Sequence, residues 1–213
     1  FYINNYFLSS KEKKLILKKK KKYNFKTFLS PKYFLTNISY VKKNHSRKIR
    51  NILVTIGGSD PGNYLPAIIK SLSKLTYKNI NFHFVIGWGF KNLKLECSKN
   101  FKFVKNPSNF KLINIRKKCD IAISTPSLMM FENALYGLPQ IVIGKSTFEK
   151  KNINKLSKIK LIYKSNAKKL GLILKNIIVD EKIYSNFKTL SDNFISKIYP
   201  NQFNKILKII LNP

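Results

Sequence analysis

From residue 50 onward the chain alternates short runs rich in apolar residues with longer stretches that carry an apolar residue every three or four positions. That rhythm is the signature of strands feeding helices in a parallel sheet. Apolar runs predict strands at 52–56, 81–86, 101–104, 121–124, 140–143 and 161–163. Helical spacing predicts helices over 63–75, 89–97, 109–118, 128–136, 147–157 and 167–179, and two more after Asp180. The run Ile52-Leu53-Val54-Thr55-Ile56 has no polar alternation, which suits a strand covered on both faces. The expected class is therefore α/β, a Rossmann-like parallel sheet with helices on both faces. Residues 1–44 show no such βα rhythm, and a poorly packed segment is expected there.

Two joints between strand and helix stand out. After the first strand comes Gly57-Gly58-Ser59-Asp60-Pro61. The glycines permit a sharp turn with no side chain between the main chain and a bound group. Asp60 followed by Pro61 reads as an N-cap with proline at the first helical position. The second joint runs from the strand 121–124 through Thr125-Pro126-Ser127 into a helix that closes at Gly137. Neither joint matches the GxGxxG or GxxxxGK phosphate patterns. A tight turn alone accounts for one glycine pair, but two such joints in one sheet define a crevice. Gly57, Gly87, Lys105 and Thr125 all follow strand ends, where open α/β sheets bind ligands. Trp88, between Gly87 and Gly89, either lines that crevice or packs in its own loop, and packing is expected.

The segments ILVTIGGSDPGN and CDIAISTPSLMMFENALYGLPQIVI resemble the C-terminal half of GT-B nucleotide-sugar enzymes, the glycosyltransferase family 28 C-terminal domain. Within that group the GGSDP turn is similar to that of the UDP-sugar hydrolases of pseudaminic acid synthesis, which cleave UDP from a diacetamido-trideoxy sugar. Upstream, Leu29-Ser30-Pro31-Lys32-Tyr33-Phe34-Leu35 resembles the segment joining the two halves of those hydrolases. The resemblance implies that residues 1–46 are the remnant of an N-terminal domain plus linker, and that 47–213 form a UDP-sugar-binding domain. It also implies a hydrolase as the parent enzyme. The alternatives are a GT-B glycosyltransferase with a UDP-sugar donor and a non-catalytic basic binding domain. The catalytic base of the resembled hydrolases lies near the start of the N-terminal domain, so this chain alone is expected to be inactive. The last helix is expected to pack back on residues 1–44.

Composition narrows the classes further. A formal charge of +33 ordinarily points to nucleic acid or an anionic surface. Here the lysines are scattered among asparagine and isoleucine, as AT-rich coding also produces, and only 18–22 form a block. No nucleic-acid-binding motif accompanies them, so no dedicated nucleic-acid binding is expected. No stretch approaches the roughly 20 apolar residues of a membrane span. The chain holds two cysteines, Cys97 and Cys119, far apart, and two histidines, His45 and His83. Neither a metal site nor a cofactor is expected, and the cytoplasm is the expected location.

Nine acidic residues stand among 213, so Glu132 inside Leu128-Met129-Met130-Phe131-Glu132 is not explained by surface composition. The helix macrodipole favours an acid early in a helix. The resemblance implies a second role, in which this carboxylate accepts hydrogen bonds from the ribose hydroxyls of UDP. It likewise implies that Gly57, Gly58, Ser59, Ser127 and Leu128 hold the diphosphate, mainly through backbone N–H groups at a helix start. The usual glycine, serine and threonine run before the glutamate is replaced here by Ser127-Leu128-Met129-Met130, and the usual Asp-Asn-Gln segment by Lys145-Ser146-Thr147. Asp60, a carboxylate that would repel a diphosphate, is expected to cap its helix. Neither histidine has a catalytic partner in sequence.

Overall fold

A computed structural model describes residues 2–4, 10–23, 26–34, 36, 38–45, 48–60, 62–75, 79–90, 98–200 and 202–211. Pro61, Cys97 and the expected helix over 89–97 fall outside these residues apart from positions 89 and 90. Strands β1 (Tyr2–Asn4) and β2 (Thr27–Leu29) pair in parallel around helix α1 (Ser10–Tyr23). The main body is a six-stranded, all-parallel sheet of β3 (Asn51–Thr55), β4 (Asn81–Ile86), β5 (Phe101–Lys105), β6 (Ile121–Ser124), β7 (Gln140–Ile143) and β8 (Tyr163–Ser165). Their order across the sheet is β5-β4-β3-β6-β7-β8. Helices α2 (Tyr64–Leu72), α3 (Asn109–Lys118), α4 (Leu128–Leu135), α5 (Thr147–Lys158), α6 (Leu170–Val179), α7 (Glu181–Ile198) and α8 (Phe203–Leu211) complete it.

Alternate residues of each strand serve opposite faces, which divides the core in two. Ile52, Val54, Phe84, Ile121, Ile123, Ile141 and Ile143 pack beneath α2, α6 and α7. Leu53, Val85 and Ala122 lie under α3 and the end of α4, while Val142 lies under α4 and α5. Both faces are covered, so the apolar runs lack polar alternation.

Local chemistry sets most helix starts. Asp60 accepts from the backbone N–H of Tyr64 and of Leu65, both at 2.8 Å. It therefore caps α2 as expected, although the helix begins at Tyr64 and Asn63 occupies the formal cap position with φ 48°. Ser108 caps α3, and Ser146 with Glu149 forms a capping box on α5. Asp180 accepts from Lys182 and Ile183 at the start of α7.

Two expectations need correction. The strand expected at 161–163 forms at Tyr163–Ser165, because Leu161 and Ile162 are buried against Val142, Ile153 and Leu156 before pairing begins. The segment before the sheet is not poorly packed throughout. Phe34 is 0% exposed and stacks on Phe131 with ring centroids 5.0 Å apart, a burial worth about 1.5–3 kcal/mol. Further on, the Val41 N–H bonds the Leu135 carbonyl at 2.8 Å and Lys43 Nζ bonds the Lys117 carbonyl at 2.9 Å. As expected, the last helix returns to this segment: α8 packs on the turn Pro31–Tyr33, and the Gln202 N–H bonds the Lys32 carbonyl. The lysines of 18–22 are exposed on α1, which is tied to α5 through Glu12 and Lys155 at 2.7 Å. Among the described residues, no helix is long and apolar enough to cross a membrane.

Candidate functional site

Strand order fixes where a ligand can sit. From β3 the chain steps to β4 on one side, and from β6 it steps to β7 on the other. The two crossovers diverge, leaving a crevice outside the carboxyl ends of β3 and β6. The Gly57-Gly58-Ser59 turn follows β3, and Thr125-Pro126-Ser127 follows β6. The sequence-derived candidates Gly57, Gly58, Ser59 and Ser127 thus lie on the two loops bordering one crevice, and Leu128 opens helix α4 beside them.

The first loop is built on close backbone contact. Gly57 has φ 94°, a conformation L side chains rarely adopt. The Gly58 carbonyl accepts from the Gly89 N–H at 2.9 Å. A Cβ on Gly87 would lie 2.3 Å from the Gly58 oxygen and 2.5 Å from its Cα. The turns after β3 and β4 are pressed together, main chain on main chain. Trp88, expected to pack, is instead 85% exposed, because the glycines on either side make the inter-loop contact and leave the indole outside it.

The second loop leaves a helix start open. No side chain caps α4, and Ser127 Oγ is enclosed without a hydrogen-bond partner among the described residues. At the same edge of the sheet α2, α3 and α5 are capped by Asp60, Ser108 and Ser146, and Asn166 Oδ1 accepts from Lys169 before α6. The Met130 N–H bonds the Ser127 carbonyl at 3.1 Å, and among the described residues the Leu128 and Met129 N–H groups are left as open donors at the start of α4. With the helix dipole behind them, they favour an anion.

Beneath this start runs a buried polar network. Asn133 Nδ2 donates to Thr55 Oγ1 at 3.1 Å, Ser124 Oγ to Gln140 Oε1 at 3.0 Å, and Gln140 Nε2 to the Met130 carbonyl at 2.7 Å. It links β3, β6, β7 and α4, and so fixes the open helix start against the sheet. Arg116, 2% exposed, joins it through Nε to Asn133 Oδ1 at 3.2 Å.

Glu132 lies on α4, one turn into the helix, and its Oε2 accepts from Arg116 Nη2 at 2.5 Å. Its Oε1 has no partner among the described residues, and the side chain is 17% exposed. One oxygen is thus committed to the interior and the other is left unpaired among the described residues. Sequence reasoning missed Arg116. Three of the 42 basic residues are arginine, and arginine is the cation suited to buried bidentate pairing.

Across the crevice, Lys145 and Ser146 follow β7. Tyr64 Oη donates to Glu149 Oε2 and accepts from the Lys145 N–H at 2.7 Å, while Lys145 Nζ bonds the Gly62 and Asn63 carbonyls. Burial first, then the bond to Glu149, pushes the Tyr64 hydroxyl up to about 12. Both histidines lie elsewhere. His83 Nε2 bonds Asn51 Oδ1 at 3.0 Å toward the amino end of the sheet, and His45 lies in the segment before β3. Burial lowers the pKa of each. Cys119 is buried and its thiol is raised to about 12, chiefly by burial, which leaves it unreactive.

No family model matches the chain. Over 138 residues it is 27% identical to MJ1062, an uncharacterized protein of Methanocaldococcus jannaschii, covering 58% of this chain and 28% of that protein. Among solved structures, it superposes on the spinosyn rhamnosyltransferase SpnG complexed with thymidine diphosphate with a TM-score of 0.55 and 13% identity, over 77% of this chain and 46% of that one. SnogD of Streptomyces nogalater, a glycosyltransferase, gives 0.56 and 20% over 83% and 49%, and MurG of Acinetobacter baumannii gives 0.55 and 14% over 79% and 51%. The fold is therefore that of a GT-B glycosyltransferase-like C-terminal domain, and the chain spans about half the length of these structures.

Proposed function

We propose that the chain is the nucleotide-sugar-binding half of a GT-B glycosyltransferase, with residues 1–46 the end of an N-terminal domain and linker and 47–213 the donor domain. The observation that carries this is the uncapped start of α4 facing the Gly57-Gly58-Ser59 turn at the switch point of the sheet. A diphosphate there meets backbone N–H groups and a helix dipole. The hydroxyl donors that Leu128, Met129 and Met130 replace are not needed for that grip. UDP is the proposed nucleotide, with the free oxygen of Glu132 accepting from the ribose. The structures that share the fold include glycosyltransferases, which favours an acceptor other than water.

A second reading, a UDP-sugar hydrolase of pseudaminic acid synthesis, is favoured by the GGSDP turn and by Leu29-Ser30-Pro31-Lys32-Tyr33-Phe34-Leu35. Both readings place the sugar between two halves, so both predict binding without turnover by this chain.

Calorimetry with UDP tests the site. Glu132→Gln keeps the shape and removes the charge, so it should weaken UDP binding by about 1.5–3 kcal/mol, the range of a charge-assisted hydrogen bond. Equal affinities would remove Glu132 from the site, whereas no UDP binding by the parent chain would refute the assignment and leave a basic binding domain that has kept only the fold.

A further inference from the structure

Two bare aromatic side chains stand at the carboxyl ends of β4 and β5, beside the crevice. Trp88, the single tryptophan, is 85% exposed in the turn after β4. Phe110, in the first turn of α3 after β5, is 76% exposed. The Trp88 turn is held firmly. The Gly89 N–H bonds the Gly58 carbonyl, the Gly87 backbone abuts Gly58, and the indole Nε1 lies 3.6 Å from where a Cβ on Gly58 would stand. A fixed backbone thus presents an indole to solvent next to the Gly57-Gly58-Ser59 turn.

The arrangement of α3 and α4 decides which part of a nucleotide reaches it. Glu132 leaves α4 on the side facing α3, because it pairs with Arg116. Helix α3 packs on β3, and Ile115 shares a cluster with Leu53 and Val85. A ribose held by Glu132 is therefore displaced from α4 toward the β4 and β5 half of the sheet, and its base extends to the ends of those strands.

We infer that Trp88 is a stacking platform for the nucleobase. The inference rests on the nucleotide-binding reading above. Stacking on an indole face is open to any base, so the platform adds affinity without choosing the base.

Because Trp88 is the single tryptophan, emission on titration with UDP reports on it directly. UDP should change the emission, and pyrophosphate should bind without doing so. Trp88→Ala should weaken UDP by about tenfold, within the range of a lost base stack, Trp88→Phe should recover most of that, and pyrophosphate affinity should not move. An unchanged unfolding midpoint in Trp88→Ala would confirm that an exposed side chain was removed without disturbing the fold. If UDP binds by calorimetry yet neither changes emission nor distinguishes Trp88→Ala, the platform is wrong while the diphosphate site stands. A response confined to UDP-N-acetylglucosamine overturns the base assignment in favour of the sugar. If the parent binds neither UDP nor pyrophosphate, the nucleotide site itself fails, and the platform with it.

Discussion

Arg116 and Glu132 meet across two helices, with Nη2 and Oε2 2.5 Å apart, the guanidinium 2% and the carboxylate 17% exposed. The same guanidinium bonds Asn133 through Nε and lies 5.6 Å from the Tyr136 ring centroid. The carboxylate proposed to meet ribose is therefore also the counter-ion of the most deeply buried cation described. Its orientation is set from within the protein, before any ligand arrives.

Removing one partner of this pair should cost more than removing both. Glu132→Ala strands a buried guanidinium and should destabilise by about 3–5 kcal/mol. Arg116→Met with Glu132→Leu places apolar groups in a similar volume and should recover much of the loss. Urea unfolding of the two single variants and the double gives the coupling directly. A Glu132→Ala variant within about 0.5 kcal/mol of the parent, the range of a neutral surface change, would show that the pair contributes nothing to folding.

The sheet was legible because its signal is local. Strands 81–86, 121–124 and 140–143 and helix 109–118 form where the pattern placed them, since buried strands write short runs rich in apolar residues and helices space theirs three or four positions apart. Phe34, Ile38 and Val41 were not legible as packed residues, because an irregular segment buries side chains one at a time and leaves no period to read. Arg116 and Glu132 are 16 residues apart on different helices, a tertiary pairing no spacing rule anticipates. The crevice borders could be read from their glycines, whereas the exposure of Trp88 depends on which backbone atoms of two loops touch.

Acid should weaken the link between the start of α2 and the turn after β7, where Tyr64 meets Glu149 and Lys145. Burial raises the Glu149 carboxyl, but the Tyr64 hydroxyl and the Ser146 and Lys145 amides outweigh it, and the net shift is downward. A carboxyl lowered on folding contributes stability that is present above its unfolded value of about 4.3 and lost as pH falls through the folded one. Tyr64 works in the opposite sense: raised to about 12, its contribution holds below about 10 and disappears as pH climbs through the folded value. Tyr64→Phe removes the main partner holding Glu149 down. It should lower stability near neutral pH and make the fall between about pH 5 and pH 3 shallower than in the parent. Urea midpoints at several pH values compare the two slopes, and parallel curves would remove Tyr64 from the account.

Gly87 and Gly58 should separate folding from binding. A Cβ on Gly87 meets the Gly58 backbone at 2.3, 2.5 and 2.6 Å, and main-chain atoms cannot rotate aside. Gly87→Ala must push the two turns apart, at a cost of about 1–3 kcal/mol for overpacking. At Gly58 the nearest atom to a new Cβ is Trp88 Nε1 at 3.6 Å, an ordinary contact, so Gly58→Ala should leave the unfolding midpoint almost unchanged. Yet the proposed diphosphate contact is made by this turn's backbone, so a methyl added there, beside the Trp88 indole, should cut UDP affinity by about tenfold, the loss of one charge-assisted hydrogen bond. Unfolding midpoints and UDP calorimetry on the two variants give the pattern: Gly87→Ala weak in both, Gly58→Ala weak in binding alone. Undiminished UDP affinity in Gly58→Ala would move the diphosphate off this turn, even if the α4 start still held it.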